Sequence, residues 1–177
     1  MMVFDEYLIK SLITRHKDFP TKGMNCIDLS KITSSPKAFR MVVDALAQHY
    51  IDANIDRIVA IETNALPFAS ALAYTLNCPL SCIRKYKRTP DKWYEEVHNG
   101  VNHDALYIRQ DECNSTDNIL LFDDVLLSGQ TVSTASALIR RSGAAINEIC
   151  CIVALADCGG VSQAQSLDLN LYPLIFL

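Results

Sequence analysis

The chain predicts an α/β fold, a doubly wound and mostly parallel sheet flanked by helices. Three observations predict it. Short apolar runs at 57–61 and 119–122 read as buried strands. They alternate with stretches of helical spacing, the order that builds parallel sheets. One run ends in two adjacent aspartates, followed by a Ser-Gly-Gln-Thr turn and an amphipathic helix, all within 119–143. Open α/β sheets bind ligands at that place, beyond the carboxyl ends of their strands.

The elements follow in order. Residues 3–16 show helical spacing of Leu8 and Leu12, and of Tyr7, Ile9 and Ile13. A second helix over 37–53 has Ser34 or Ser35 as its cap and Pro36 at its first turn. Residues 57–61 form a strand, 64–76 an alanine-rich helix, and 79–83 and 105–109 two more strands. Strands at 119–122, 149–154 and 171–176 complete the sheet. The stretch 84–103 has no clean period and is polar, basic and aromatic. A long unstructured segment inside a compact domain is usually functional or disordered.

Composition narrows the function classes. The 177 residues suffice for a single domain spanning 1–177 with a real core. Half the residues are hydrophobic and 20% are charged, a globular balance. A net charge of −4 argues against nonspecific nucleic-acid binding by the whole surface. The basic residues Arg84, Lys85, Lys87, Arg88 and Lys92 form a local cluster instead. The cysteines at 26, 78, 82, 113, 150, 151 and 158 form no CxxC and no zinc-like spacing. They read as reduced thiols of a cytoplasmic protein. The N-terminus carries Asp5 and Glu6 and no basic-then-apolar signal pattern. No apolar run approaches the ~20 residues of a membrane span.

The segment after the strand at 119–122 carries the chemistry. Asp123 and Asp124 are placed to accept from ribose hydroxyls. Ser128, Gly129 and Thr131 bring hydroxyls and N–H groups together where a phosphate is held. An aspartate here is also suited to capping the next helix, but a cap is needed once, not twice. The pairing suits a sugar phosphate.

This segment resembles the phosphoribosyl-diphosphate (PRPP) binding motif of type I phosphoribosyltransferases. Asp18-Phe19-Pro20-Thr21-Lys22-Gly23, then Asp28-Leu29-Ser30 and Pro36-Lys37-Ala38-Phe39, resemble the N-terminal region of the adenine phosphoribosyltransferases. Ile83-Arg84-Lys85 and Asp104-Ala105-Leu106-Tyr107-Ile108 resemble the strands on either side of their flexible loop. The resemblance runs from Lys17 to Phe176. It implies an N-terminal helix and small hood over 1–35, a loop over 84–103 that closes on the ribose, Mg²⁺ as cofactor and a homodimer. Its implied partners are PRPP and a nucleobase or nucleotide.

The resemblance also implies residue roles. Asp123 and Asp124 are catalytic, holding the ribose hydroxyls or a hydrated Mg²⁺, and Leu127, Ser128, Gly129, Gln130 and Thr131 surround the 5-phosphate. Glu62, Thr63, Asn64 and Ala65 match the diphosphate loop, with Arg84, Lys85, Lys87 and Arg88 as added charge. Asn25, Cys26 and Ile27 match the base-binding positions. Several of these depart from the family. Gln130 replaces the Gly usual in adenine enzymes, Asn64 an Arg, Ala65 a Gly, Cys26 a stacking Phe and Ile27 an Arg. A loop Glu of the family meets Gly100 and Val101, so Glu95 or Glu96 is the expected substitute, with Tyr94, His98 and His103 nearby. Trp93 and Tyr94 suit a lid or simple packing. Asp157-Cys158-Gly159-Gly160 reads as a wall of the base pocket or a plain turn before a helix.

Three functions stay open. One is an adenine-using phosphoribosyltransferase of purine salvage. Another is a transferase for a different base. The third is a PRPP- or nucleotide-binding regulator with weak catalysis, which Asn64, Ala65 and the missing Glu favour.

Overall fold

Five parallel strands build the central sheet. The computed structural model describes residues 3–19, 22, 25–97 and 105–177. The chain opens with α1 (Glu6–Leu12), β1 (Thr14–Lys17), β2 (Asn25–Asp28) and α2 (Ser30–Thr33). It continues with α3 (Pro36–Tyr50), β3 (Arg57–Ile61), α4 (Leu66–Leu76) and β4 (Leu80–Ile83). A hairpin of β5 (Trp93–Val97) and β6 (Ala105–Arg109) follows. The last elements are β7 (Asn118–Leu126), α5 (Gln130–Arg141), β8 (Ala145–Ala154), α6 (Gly160–Ser166) and β9 (Asn170–Phe176).

The sheet order is β4-β3-β7-β8-β9, parallel throughout. From β3 the chain winds outward to β4, and from β7 it winds the other way to β8 and β9. β3 and β7 are therefore the switch point, beyond whose carboxyl ends open sheets bind ligands. Period-two alternation splits the core. Ile58, Ala60, Leu120 and Phe122 pack with α3 and α4 on one face. Val59, Ile61, Ile119 and Leu121 pack with α5 and the β5–β6 hairpin on the other. Strands buried on both faces are apolar at every position, which is why 57–61 is legible in the sequence.

The local signals are equally physical. Ser35 is the cap of α3, accepting from the Ala38 N–H at 3.3 Å, with Pro36 beginning the helix. Asp5 caps α1 through the Leu8 N–H at 3.0 Å.

Three expectations are corrected. The helix expected over 3–16 covers only Glu6–Leu12; Thr14–Lys17 turns into an extended strand paired with β2. The strand expected over 119–122 continues to Leu126, so both aspartates lie inside it rather than beyond its end. The segment 84–103 contains β5, which pairs in register with β6. Its burial alternates poorly because this hairpin packs beside the sheet, not in it.

Candidate active site

The carboxyl end of β7 presents a buried acidic pair. Asp123 is 9% exposed and Asp124 half-buried. The Asp124 N–H donates to the Asp123 carboxylate at 2.9 Å. Burial, and then the neighbouring Asp124 charge, raise the Asp123 carboxyl well above the usual carboxylate range, while Lys85 pulls it back down. Burial raises Asp124 too, opposed by hydrogen bonds from Asp123, from its own N–H and that of Val125, and from the Asn64 side chain. The pair favours holding one proton rather than two negative charges.

The turn that follows is shaped for an anion. Gly129 has φ +76°, which glycine adopts at no steric cost. It offers α5 no side-chain cap, and the Gln130 N–H lies 3.5 Å from Ser128 Oγ. Ser128 and Thr131 are exposed at the N-terminus of α5, where first-turn N–H groups and the helix dipole favour negative charge. Leu127 is half-buried beneath them.

Across the switch point, the end of β3 supplies Glu62, Thr63, Asn64 and Ala65. Ala65 is fully buried and starts α4. The Glu62 side chain is 4% exposed and pairs with Arg84 and, at 3.0 Å, with Arg88. Arg88, half-exposed, is one of the cations expected from the sequence as replacement charge, and the fold sets it on Glu62. The fourth position after Arg84 and the partnered Glu62 are signals that only the folded chain joins.

The expected added charge is differently employed. Arg84 is held by Glu62, and its backbone bridges to Tyr107 by a pair of 2.8 Å bonds. Lys87 pairs with Glu95 at 3.2 Å and lies over the Tyr107 ring. Lys85 alone of the three acts on Asp123.

Two groups of expected site residues are not brought to the acidic pair. The Glu96 carboxylate lies 3.6 Å from Arg141, and Arg141 donates to the Glu95 carbonyl at 2.6 Å. Arg141 ends α5, about 18 Å of helix away from the phosphate turn. Tyr94 underlies the same guanidinium at 5.1 Å, so it anchors the hairpin rather than a ligand. Ile27 is 6% exposed and its side chain belongs to the main apolar core. Cys26, its neighbour on the opposite strand face, is half-buried, and Asn25 sits in β2 opposite Lys17. His98, Gly100, Val101, His103 and Asp104 lie outside the described residues, as do Pro20, Thr21 and Gly23.

No group of three or more His, Cys, Asp or Glu able to hold a metal occurs among the described residues. The donor set still fits Mg²⁺, which takes one or two carboxylates and completes its shell with substrate oxygens and water.

The sequence pattern of the phosphoribosyl transferase domain matches residues 28–170. The chain belongs to the phosphoribosyltransferase family. It is 36% identical to an adenine phosphoribosyltransferase of Stutzerimonas stutzeri, over 98% of this chain and 96% of that one. It is 34% identical to one from Pseudomonas aeruginosa strain PAO1 over the same shares. The structure of the Giardia lamblia APRTase complexed with 9-deazaadenine has a TM-score of 0.92 and 25% identity, covering 100% of this chain and 99% of that chain. The adenine phosphoribosyltransferase of Thermoanaerobacter pseudethanolicus shares the fold, with a TM-score of 0.90 and 24% identity over 97% of this chain and 99% of that chain. The expected type I phosphoribosyltransferase fold and its adenine-enzyme likeness are thus borne out. No described helix is long and apolar enough to cross a membrane.

Proposed function

We propose that this phosphoribosyltransferase transfers the 5-phosphoribosyl group of PRPP to adenine, giving AMP and diphosphate in purine salvage. The observation that carries the reading is the adjacency of Asp123 and Asp124 to the Ser128–Thr131 turn at the β3–β7 switch point. The full-length likeness to adenine enzymes supports adenine as the base.

In this reading the turn grips the 5-phosphate with first-turn N–H groups and the Ser128 and Thr131 hydroxyls. Asp123 and Asp124 accept from the ribose hydroxyls. Their negative field favours the cation-like ribose that forms as the bond from the anomeric carbon to diphosphate breaks. A ring nitrogen of the base then closes the new bond to that carbon, and its proton is lost to the departing diphosphate or water. Lys85 and Arg88 lie on the side where charge leaves. Asp123 and Asp124 would hold Mg²⁺ together with PRPP oxygens, and the ion would supply neutralisation of the diphosphate. Cys26 belongs to the side where the base is held.

Seven free thiols support a reducing, cytoplasmic setting. Burial raises the Cys113 and Cys150 thiols to about 12, so they stay protonated and inert. The proposal includes a homodimer, checked by mass in solution.

A second reading is favoured by Glu62 occupying both Arg84 and Arg88, with Asn64 at the family's arginine position. It is a PRPP- or nucleotide-binding protein with weak turnover. Calorimetric titration with PRPP and Mg²⁺, followed by diphosphate release across purine and pyrimidine bases, separates the two. Release with adenine is expected. Binding without release from any base would establish the second reading.

A further inference from the structure

The phosphate turn does not stand alone. Behind it, Gly159 and Gly160 lead into α6, and α6 is packed against the turn more tightly than a side chain permits. A Cβ on Gly160 would lie 2.4 Å from the Leu127 carbonyl oxygen and 2.7 Å from Leu126 Cγ. A Cβ on Gly129 would lie 2.8 Å from Gln163 Cβ and 3.1 Å from the Gly160 Cα. Gln163 sits one turn into α6, its N–H bonded to the Gly159 carbonyl at 2.9 Å. Its side-chain amide donates to Ser133 Oγ at 3.4 Å. Ser133 closes the first turn of α5 through its N–H on the Gly129 carbonyl at 2.9 Å. One side chain therefore touches both the glycine that makes the turn and the residue that closes the turn into helix.

We propose that Gln163, seated by Gly160, is a positioning residue that sets where the phosphate turn stands relative to Asp123 and Asp124. It touches no substrate. Its methylene groups stop Gly129 from moving back, and its amide ties the first turn of α5 to α6. The N–H groups of that turn are thereby held at a fixed distance from the acidic pair, so phosphate and ribose are gripped together. This rests on the reading of the turn as the 5-phosphate site. Preorganisation of this kind acts on the ligand that uses the turn and leaves the base untouched.

The test is steady-state kinetics of Gln163→Ala and Gly160→Ala beside Thr131→Val, with PRPP and adenine varied separately and Tm recorded. Gln163→Ala is expected to raise KM for PRPP about two- to ten-fold, the change one neutral hydrogen bond carries. KM for adenine and Tm stay at wild-type values. Gly160→Ala forces the Leu127 carbonyl to move and is expected to raise KM for PRPP further, by up to about a hundred-fold; Gln163→Ala decides if that variant does not fold. Wild-type PRPP kinetics in Gln163→Ala, with Thr131→Val weakened, would overturn the proposal and leave the phosphate site in place. A parallel change of both KM values and Tm would also overturn it, as a packing effect. Unchanged PRPP kinetics in Thr131→Val would remove the phosphate-site reading itself.

Discussion

The Arg88 guanidinium lies 3.0 Å from the Glu62 carboxylate, although Glu62 follows β3 and Arg88 lies in the connection between β4 and β5. Glu62 is almost fully enclosed and Arg88 half-exposed, so the contact joins a fixed anion to a cation with room to move. Arg88→Ala is expected to leave stability nearly unchanged, because exposed ion pairs contribute little. It should weaken product inhibition by diphosphate, measured against varied PRPP. Unaltered inhibition would show that Arg88 serves Glu62 alone.

The Asn64 amide reaches Asp124, and by the sequence resemblance Asn64 stands at a family arginine position. Asn64→Arg is expected to tighten diphosphate binding about tenfold or more, the scale of one charge-assisted hydrogen bond. Calorimetry with diphosphate and Mg²⁺ reads the change directly. No gain would mean that the loop does not face the leaving group.

Asp123→Asn combined with Asp124→Asn should abolish PRPP binding in the same calorimeter while far-ultraviolet dichroism stays native. Retained binding would displace the site from the end of β7.

The single variant Asp123→Asn carries a pH signature. The native chain keeps the Asp123 proton to a higher pH than the unfolded chain does, because burial raises its pKa. Above about pH 4, the ordinary carboxylate value, the native state therefore binds more protons and its stability falls as pH rises. Asparagine removes that loss. The Tm of the variant relative to wild type is expected to grow from pH 4 to pH 8, followed by thermal melts. A constant difference would mean that Asp123 ionises normally in the fold.

Away from the site, the Tyr50 hydroxyl donates to Glu148 at 2.7 Å, and His49 stacks on Tyr172 with ring centroids 3.6 Å apart. These contacts fasten the end of α3 to β8 and β9. Tyr50→Phe is expected to cost about 1.5–3 kcal/mol, the range for a hydrogen bond to a charged group, with kcat unchanged. Denaturant titration and kinetics on one preparation check both halves.

The sheet was legible because its strands are buried on both sides. Arg57–Ile61 falls where the apolar run predicts. β7 was read short because two aspartates are poor strand residues, and ligand chemistry rather than propensity keeps them there. β5, with Glu95 and Glu96 in its middle, lacks an apolar face of its own and was read as loop. The acidic pair and turn were legible from order alone, since both lie in one continuous segment. The burial of the Ile27 side chain is not legible in the sequence, because a single identity does not tell which face of β2 meets the core. The Glu62–Arg88 pair joins separate segments, and no local pattern announces it.

Ala60 of β3 and Phe122 of β7 are partners in the sheet although roughly sixty residues separate them along the chain. Glu62–Ala65 follow one strand and the acidic pair lies in the other, so the proposed site draws on both halves of the chain. Closing that long loop is a slow, entropically expensive event in folding. A ligand that spans the junction rewards only molecules that have completed it. PRPP is in that sense a probe of finished assembly: its binding during refolding times the moment when the two halves of the chain meet.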